Sequence, residues 1–122
     1  MENVPLVRAN KTLDFDNWTT QLRKGLLELC IVNVLAEGET YGYDLTRKIT
    51  RIPGLVITEG TVYPLLSRLQ KAGAVKSRLQ ESATGPARKY YSLSAEGVRI
   101  RERMNAHWDE LGIGIDMLRK AR

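Results

Sequence analysis

The sequence contains one cysteine, one histidine and one phenylalanine among 122 residues. A lone cysteine, Cys30, closes no internal disulfide. Its place in the apolar run LELCIVNVL suits a core thiol in a reducing compartment. A lone histidine, His107, cannot build a histidine metal cluster. His107 and Cys30 are far apart in the chain and make no convincing nucleophile–base constellation. The sequence has no G-x-x-x-x-G-K loop, no paired metal-ligand motif and no nucleophile elbow. No catalytic residue, metal or cofactor is expected, and the chain does not read as an enzyme. Long hydrophobic runs are also missing, since none approaches the length that spans a bilayer. The first 16 residues carry charges of both signs and lack the apolar centre of a secretory signal. A cytoplasmic protein without membrane attachment is expected.

What the sequence does have is positive charge in one place. The formal net charge is +5. Residues 58–94 hold six basic and two acidic residues, a net +4, while the rest is nearly balanced. A concentrated basic stretch is the footprint of a phosphate-backbone binder. A charge bias taken alone fits a solvated basic surface better, so the pattern around it has to decide.

Residues 1–16 show no clear period and read as an N-terminal arm. From about Asn17 to Ala36 the pattern is helical. Leu22, Leu26, Leu29 and Cys30 make one stripe, which Leu27, Ile31, Val34 and Leu35 widen. A helix apolar over most of its girth is expected to face two neighbours. A second helix runs from about Tyr41 to Arg51 and stops at Pro53-Gly54. A third spans Thr58 to Gly73, with Val62, Leu65, Leu66 and Leu69 on one face. The period then drops to two. Val75, Ser77 and Leu79 alternate with polar residues, and after ESATGPA so do Lys89, Tyr91 and Leu93. This reads as a β-hairpin around a Gly-Pro turn. Ser94 suits the N-cap of a last helix. Three helices, a hairpin and a helix are the order of a winged helix-turn-helix. The expected fold class is mainly α (α+β), with the winged helix-turn-helix DNA-binding domain in residues 17–94. Residues 95–122 are expected to form a C-terminal dimerisation helix.

The third helix, TEGTVYPLLSRLQKAG, carries a glycine and a proline near its start. Thr58 is expected to cap it with its hydroxyl. Pro64 has no N–H for the carbonyl of Gly60, and its ring crowds that residue, so a glycine there makes the pair compatible and some bending is expected. Opposite the apolar stripe lie Gly60, Pro64, Ser67 and Lys71, flanked by Thr61, Tyr63 and Arg68. Such a small, nearly uncharged face lets a recognition helix bring its N-terminal end close to base edges in a major groove. Thr61 and Ser67 could bond bases or phosphates, Tyr63 a phosphate or a thymine methyl, and Arg68 and Lys71 phosphates.

Four runs carry a family resemblance: LRKGLLELCIVNVL (Leu22 to Leu35), YGYDL (Tyr41 to Leu45), TEGTVYPLLSRLQKAG, and GPARKYYSLSAEG (Gly85 to Gly97). In this order and spacing they resemble the PadR family of bacterial transcriptional regulators, over roughly residues 22–97. The short last helix is similar to the family's small subfamily. The resemblance implies a dimeric repressor of a double-stranded DNA operator, released when a phenolic acid or hydrophobic drug-like molecule binds. Carried over by motif, it implies DNA contact by Tyr63 and a wing held on DNA by Arg88 and Lys89. Tyr41 and Tyr43 would orient the helix before recognition, although core packing is the simpler reading of Tyr41. The arm, residues 1–16, is not part of the family core.

In the last helix Met104, Trp108, Leu111, Ile115 and Leu118 are spaced by alternating fours and threes, a heptad seam suited to docking on a partner helix. These five are the expected dimer interface. The resemblance implies that Trp108, at its midpoint, is an effector-binding residue for a flat aromatic ligand, although an interface anchor is the simpler reading. A rival reading is a winged-helix module that contacts only proteins. Such a module has no need of Lys76, Arg78, Arg88 and Lys89 clustered on one hairpin, which favours the DNA reading.

Overall fold

The structure is a computed structural model that describes residues 14–121. Most of the expected arm, residues 1–16, lies outside the described residues. The chain forms α1 (Phe15–Leu35), β1 (Thr40–Tyr41), α2 (Gly42–Thr50), α3 (Glu59–Lys71), β2 (Val75–Ser82), β3 (Gly85–Leu93) and α4 (Ala95–Lys120). α1 begins earlier than its apolar period suggests, because Asp14 caps it. The carboxylate accepts from the N–H groups of Asp16 at 3.0 Å and Asn17 at 3.3 Å, satisfying two of the first-turn donors a helix leaves free.

α1, α2, α3 and the sheet enclose one core of Leu27, Ile31, Leu35, Leu45, Ile49, Val62, Leu66, Leu69, Val75 and Tyr91, with Leu55 closing it from the α2–α3 loop. Each fully buried aliphatic side chain contributes about 1.5–3 kcal/mol. The two apolar faces of α1 separate here. Leu27, Ile31 and Leu35 enter this core, whereas Leu22 is exposed and Leu26, Leu29 and Cys30 are half-buried. The stripe that stands out first in the sequence is thus the second face, turned toward α4.

α3 runs through Pro64 without a break. Thr58 occupies the N-cap position, yet its hydroxyl caps nothing. It lies 3.4 Å from the Thr61 hydroxyl instead, and the Thr58 carbonyl accepts the Thr61 N–H at 3.1 Å. The helix ends in a Schellman motif, with Gly73 at φ +86° and the Ala74 N–H donated to the Leu69 carbonyl at 3.0 Å.

The hairpin is longer than its alternation implies. β2 and β3 pair antiparallel, with Ser77 opposite Tyr91 and Leu79 opposite Lys89, and the register shifts between Gln80 and Ser82. Only Ala83 and Thr84 connect the strands. The expected Gly-Pro turn is therefore displaced, since Gly85 and Pro86 already lie in β3. Proline is tolerated at such a strand start because few ladder bonds are needed there. The two-residue β1 adds to β3, Thr40 opposite Tyr91 and Tyr41 opposite Tyr90, giving the order β1-β3-β2.

α4 grows directly from the sheet. The Ser94 hydroxyl accepts the Gly97 N–H at 3.0 Å and donates to the Gly73 carbonyl at 2.6 Å. Gly97 is buried so tightly that an added Cβ would overlap the Ala74 carbonyl oxygen. Further along, α4 is bonded to α1 through a reciprocal amide pair. Asn33 Nδ2 donates to Asn105 Oδ1 and Asn105 Nδ2 to Asn33 Oδ1, each at 2.9 Å, and Arg101 Nε donates to Asn33 Oδ1 at 2.8 Å.

The loop from Arg51 to Thr58 seats α3. Arg23 Nε of α1 donates to the Leu55 carbonyl at 2.5 Å. Next to it Val56 is held at φ +48°. A β-branched residue there is a genuine outlier of the order of 1–3 kcal/mol.

Candidate nucleic-acid interface

Amphipathic burial of α3 turns one face of it outward. Val62, Leu66 and Leu69 are buried, and Gly60, Thr61, Tyr63, Pro64, Ser67, Arg68 and Lys71 are exposed. Tyr63 packs one edge against the start of α2, where Gly42 leaves room. A Cβ on Gly42 would lie 3.5 Å from the Tyr63 ring and 3.0 Å from that of Tyr91. The motif YGYDL thus has a packing reason. Its glycine admits two tyrosines, one in the core and one on the outward face.

The wing stands on a stacked aromatic base. The Tyr41 ring lies 5.6 Å from Tyr90 and 6.2 Å from Tyr43, centroid to centroid. Three guanidiniums cover these rings: Arg88 over Tyr41 at 5.0 Å, Arg78 over Tyr90 at 5.0 Å and Arg47 over Tyr43 at 5.6 Å. Each such contact contributes about 0.5–1 kcal/mol at an exposed site. Core packing was the simpler expectation for Tyr41, and the structure corrects it. Tyr41 is half-buried in this surface stack, and the core tyrosine is Tyr91. Burial pushes the Tyr91 phenol upward, so it stays neutral near pH 7.

The expected basic residues divide into two groups. Arg68 is paired with Glu28 of α1 at 2.5 Å. Arg78 grips both Glu39 oxygens, at 2.7 Å each, and this hydrogen bonding holds the Glu39 carboxyl below its ordinary range. Glu39 precedes β1, so the pair fastens β2 to the turn after α1. Arg88, Lys89, Lys71 and Lys76 are exposed and make no ion pair among the described residues. Arg88 and Lys89 nonetheless have ring partners, since Lys89 Nζ lies 5.7 Å from the Tyr91 centroid. Glu39 and Arg47 were missed by sequence reasoning. Arg78 and Glu39 are 39 positions apart, and no local period links them.

On the other side of the molecule, α1 and α4 leave apolar surface open. Met104 is half-buried, while Trp108, Leu111, Ile115 and Leu118 are exposed, Leu118 to 77%. A cavity of about 870 Å³ lies between the two helices, with Leu22, Gly25, Met104, Trp108 and Leu111 in its wall. No group of histidine, cysteine or acidic side chains suited to a metal occurs among the described residues. None of the described helices is long and apolar enough to cross a membrane.

Three helices, a β-wing and an outward third helix define the chain as a winged helix-turn-helix protein. Residues 31–103 match the model of the transcriptional regulator PadR-like family, and the chain belongs to that family. It is similar to the crystal structure of a PadR-like transcriptional regulator from Bacillus cereus, with 33% identity and a TM-score of 0.75 over 84% of this chain and 99% of that one. A PadR family regulator from Eggerthella lenta shares 30% identity at a TM-score of 0.76, over 88% and 94% of the two chains. A Streptococcus transcriptional regulator shares 34% at 0.73, over 82% and 98%. The chain is therefore a DNA-binding transcriptional regulator, from a family of regulators rather than enzymes.

Proposed function

We propose that the protein is a dimeric repressor that grips a two-fold operator and lets go when a small aromatic or hydrophobic effector binds. In this reading the N-terminal end of α3 enters the major groove. Thr58, Gly60, Thr61, Tyr63, Pro64 and Ser67 meet base edges and the adjoining backbone. Arg68, Lys71, Arg78, Arg88 and Lys89 serve phosphates. Arg68 and Arg78 must exchange Glu28 and Glu39 to do so, and ion pairs at a protein surface contribute little enough to make that exchange cheap.

The observation that carries the dimer is the uncovered seam of α4 beside a winged unit that already has its own core. Ile113 and Met117 add exposed apolar side chains off that seam, and a helix apolar on several sides is normally buried. Two copies meeting through α4 and α1 would cover it and set two recognition helices about 34 Å apart. Trp108, midway along the seam, is the proposed effector contact between subunits, where stacking on an indole adds about 0.5–1.5 kcal/mol beyond buried area.

The test of DNA grip is the wing. Arg88→Ala with Lys89→Ala is expected to weaken binding to every DNA sequence alike. It should also reduce the slope of log K against log salt by about two, one per phosphate contact. Unchanged affinity and slope would remove the wing from the interface.

A further inference from the structure

Among the described residues α4 is hydrogen-bonded to the rest of its chain at two places, and two points fix the direction of a rod. The first is the start of the helix, where Ser94 donates to the Gly73 carbonyl and Gly97 presses on Ala74. The second is the amide pair of Asn33 and Asn105. We propose that this pair is a register lock. It sets the angle of α4 on α1, and through it the spacing between half-sites that the dimer accepts on DNA. The proposal rests on the dimeric DNA-binding reading above.

Hydrogen-bond geometry singles the pair out. Among the described residues, the only side-chain bonds between α1 and α4 run from Asn33 Nδ2 to Asn105 Oδ1, from Asn105 Nδ2 to Asn33 Oδ1 and from Arg101 Nε to Asn33 Oδ1. Asn33 donates its other N–H to the Leu29 carbonyl, one turn back in α1, at 2.8 Å. A primary amide has two donors and two acceptor sites, so Asn33 is fully used. Its own helix fixes the amide plane, and α4 has to match that plane to bond it.

The rest of the contact carries little direction. Cavities of about 870 Å³ and 560 Å³ lie along it, and Leu26, Leu29 and Trp108 line both. Apolar walls with space between them attract without preferring one orientation. The amide pair does prefer one. Turning α4 by a single residue carries Asn105 about 100° round the helix axis and breaks both bonds. Half-buried Asn33 and Asn105 would then lack partners, a cost that sliding apolar side chains do not meet. One polar residue in an apolar coiled-coil seam specifies register by the same logic, at some cost in stability.

A lever carries the angle to DNA. Leu111, in the middle of the exposed seam, lies about 21 Å beyond Gly97 at the helical rise. With the start of α4 as pivot, a swing of about 10° moves that point by roughly 3.6 Å, close to the ~3.4 Å between successive base pairs. Two subunits meeting through this seam pass the shift on to the separation of their recognition helices. Half-site spacing follows from that separation.

The experiment compares the full chain with an Asn33→Leu, Asn105→Leu variant on three duplexes: the operator as it stands, and the operator with one base pair inserted or removed between its half-sites. Sedimentation of both proteins accompanies the binding measurements. The unaltered chain should disfavour each altered spacing by about tenfold or more. The variant should stay folded and dimeric, since a matched polar pair is exchanged for two apolar side chains. Its discrimination should fall to about threefold or less, because an apolar contact no longer fixes one register. A uniform loss of affinity at all three spacings marks a merely structural role and overturns the lock. Should the double variant fail to fold, Asn105→Ala decides by the same ratio. It removes both bonds of the pair and leaves Asn33 bonded to the Leu29 carbonyl and Arg101. A dimeric unaltered chain whose discrimination the variant matches overturns the lock and leaves the dimer standing. An unaltered chain that binds all three spacings alike also overturns the lock. An unaltered chain that grips the operator as a monomer overturns both readings.

Discussion

The two halves of α4 meet different surroundings. From Ser94 to Asn105 the helix is clamped to its own chain. Ser94 bridges it to Gly73, Gly97 presses on the Ala74 carbonyl, and Asn105 pairs with Asn33. From Trp108 to Leu118 its apolar side chains lie open, with Trp108 exposed to 45%. Both halves mix apolar with charged residues, and composition alone does not tell their surroundings apart. Partners do. The proximal half completes the fold of one chain, and the distal half leaves an apolar surface open among the described residues.

The largest effect expected from this contrast is at Gly97. Gly97→Ala drives a methyl group into backbone that cannot yield like a flexible side chain, and should cost roughly 3 kcal/mol or more in urea unfolding. A stability loss under 1 kcal/mol would mean that the proximal half is not seated as described. A smaller and more selective effect is expected on the outward face of α3. Tyr63→Ala with Ser67→Ala should cost about 1–3 kcal/mol on the operator and less on random DNA, with the mass of the assembly unchanged. Equal losses on both DNAs would leave these residues as backbone positioners. The smallest effect is at Val56, which is exposed to 73% at φ +48°. Asparagine tolerates that conformation better, so Val56→Asn should raise stability by about 1 kcal/mol in thermal unfolding. No gain would show that the loop does not hold strain at this residue.

Much of this fold is legible in the sequence because its signals are local. Helix periods, the proline-glycine stop after α2, the Ser94 cap and the alternation of the wing each operate within about ten residues. What stayed hidden depends on distant partners. β1 is two residues long and exists only because β3 lies beside it. Tyr41 sits at a position that looks interior on a helical wheel, yet it precedes α2 and stacks on Tyr90 instead. The hairpin turn moved because the strands pair past the end of the alternating pattern, to Ser82 and Gly85. Thr58 has the right residue type for a cap, but its hydroxyl meets Thr61. At the candidate DNA site the outward face of α3 was readable from its period. The anchoring of Arg68 by Glu28 and of Arg78 by Glu39 was not, because an ion pair across about 40 positions leaves no trace in local spacing.

The central claim is that the distal half of α4 belongs to an interface between two copies. Sedimentation equilibrium of the full chain beside a Leu111→Glu, Ile115→Glu variant tests it directly. The added charges cannot be buried without partners at tolerable cost, while the winged unit keeps its own core. The account predicts twice the 13.8 kDa chain mass for the unaltered protein. It predicts a folded monomer that no longer holds the operator for the variant. A variant that keeps the doubled mass, or an unaltered chain that sediments as a monomer while still gripping the operator, would contradict it.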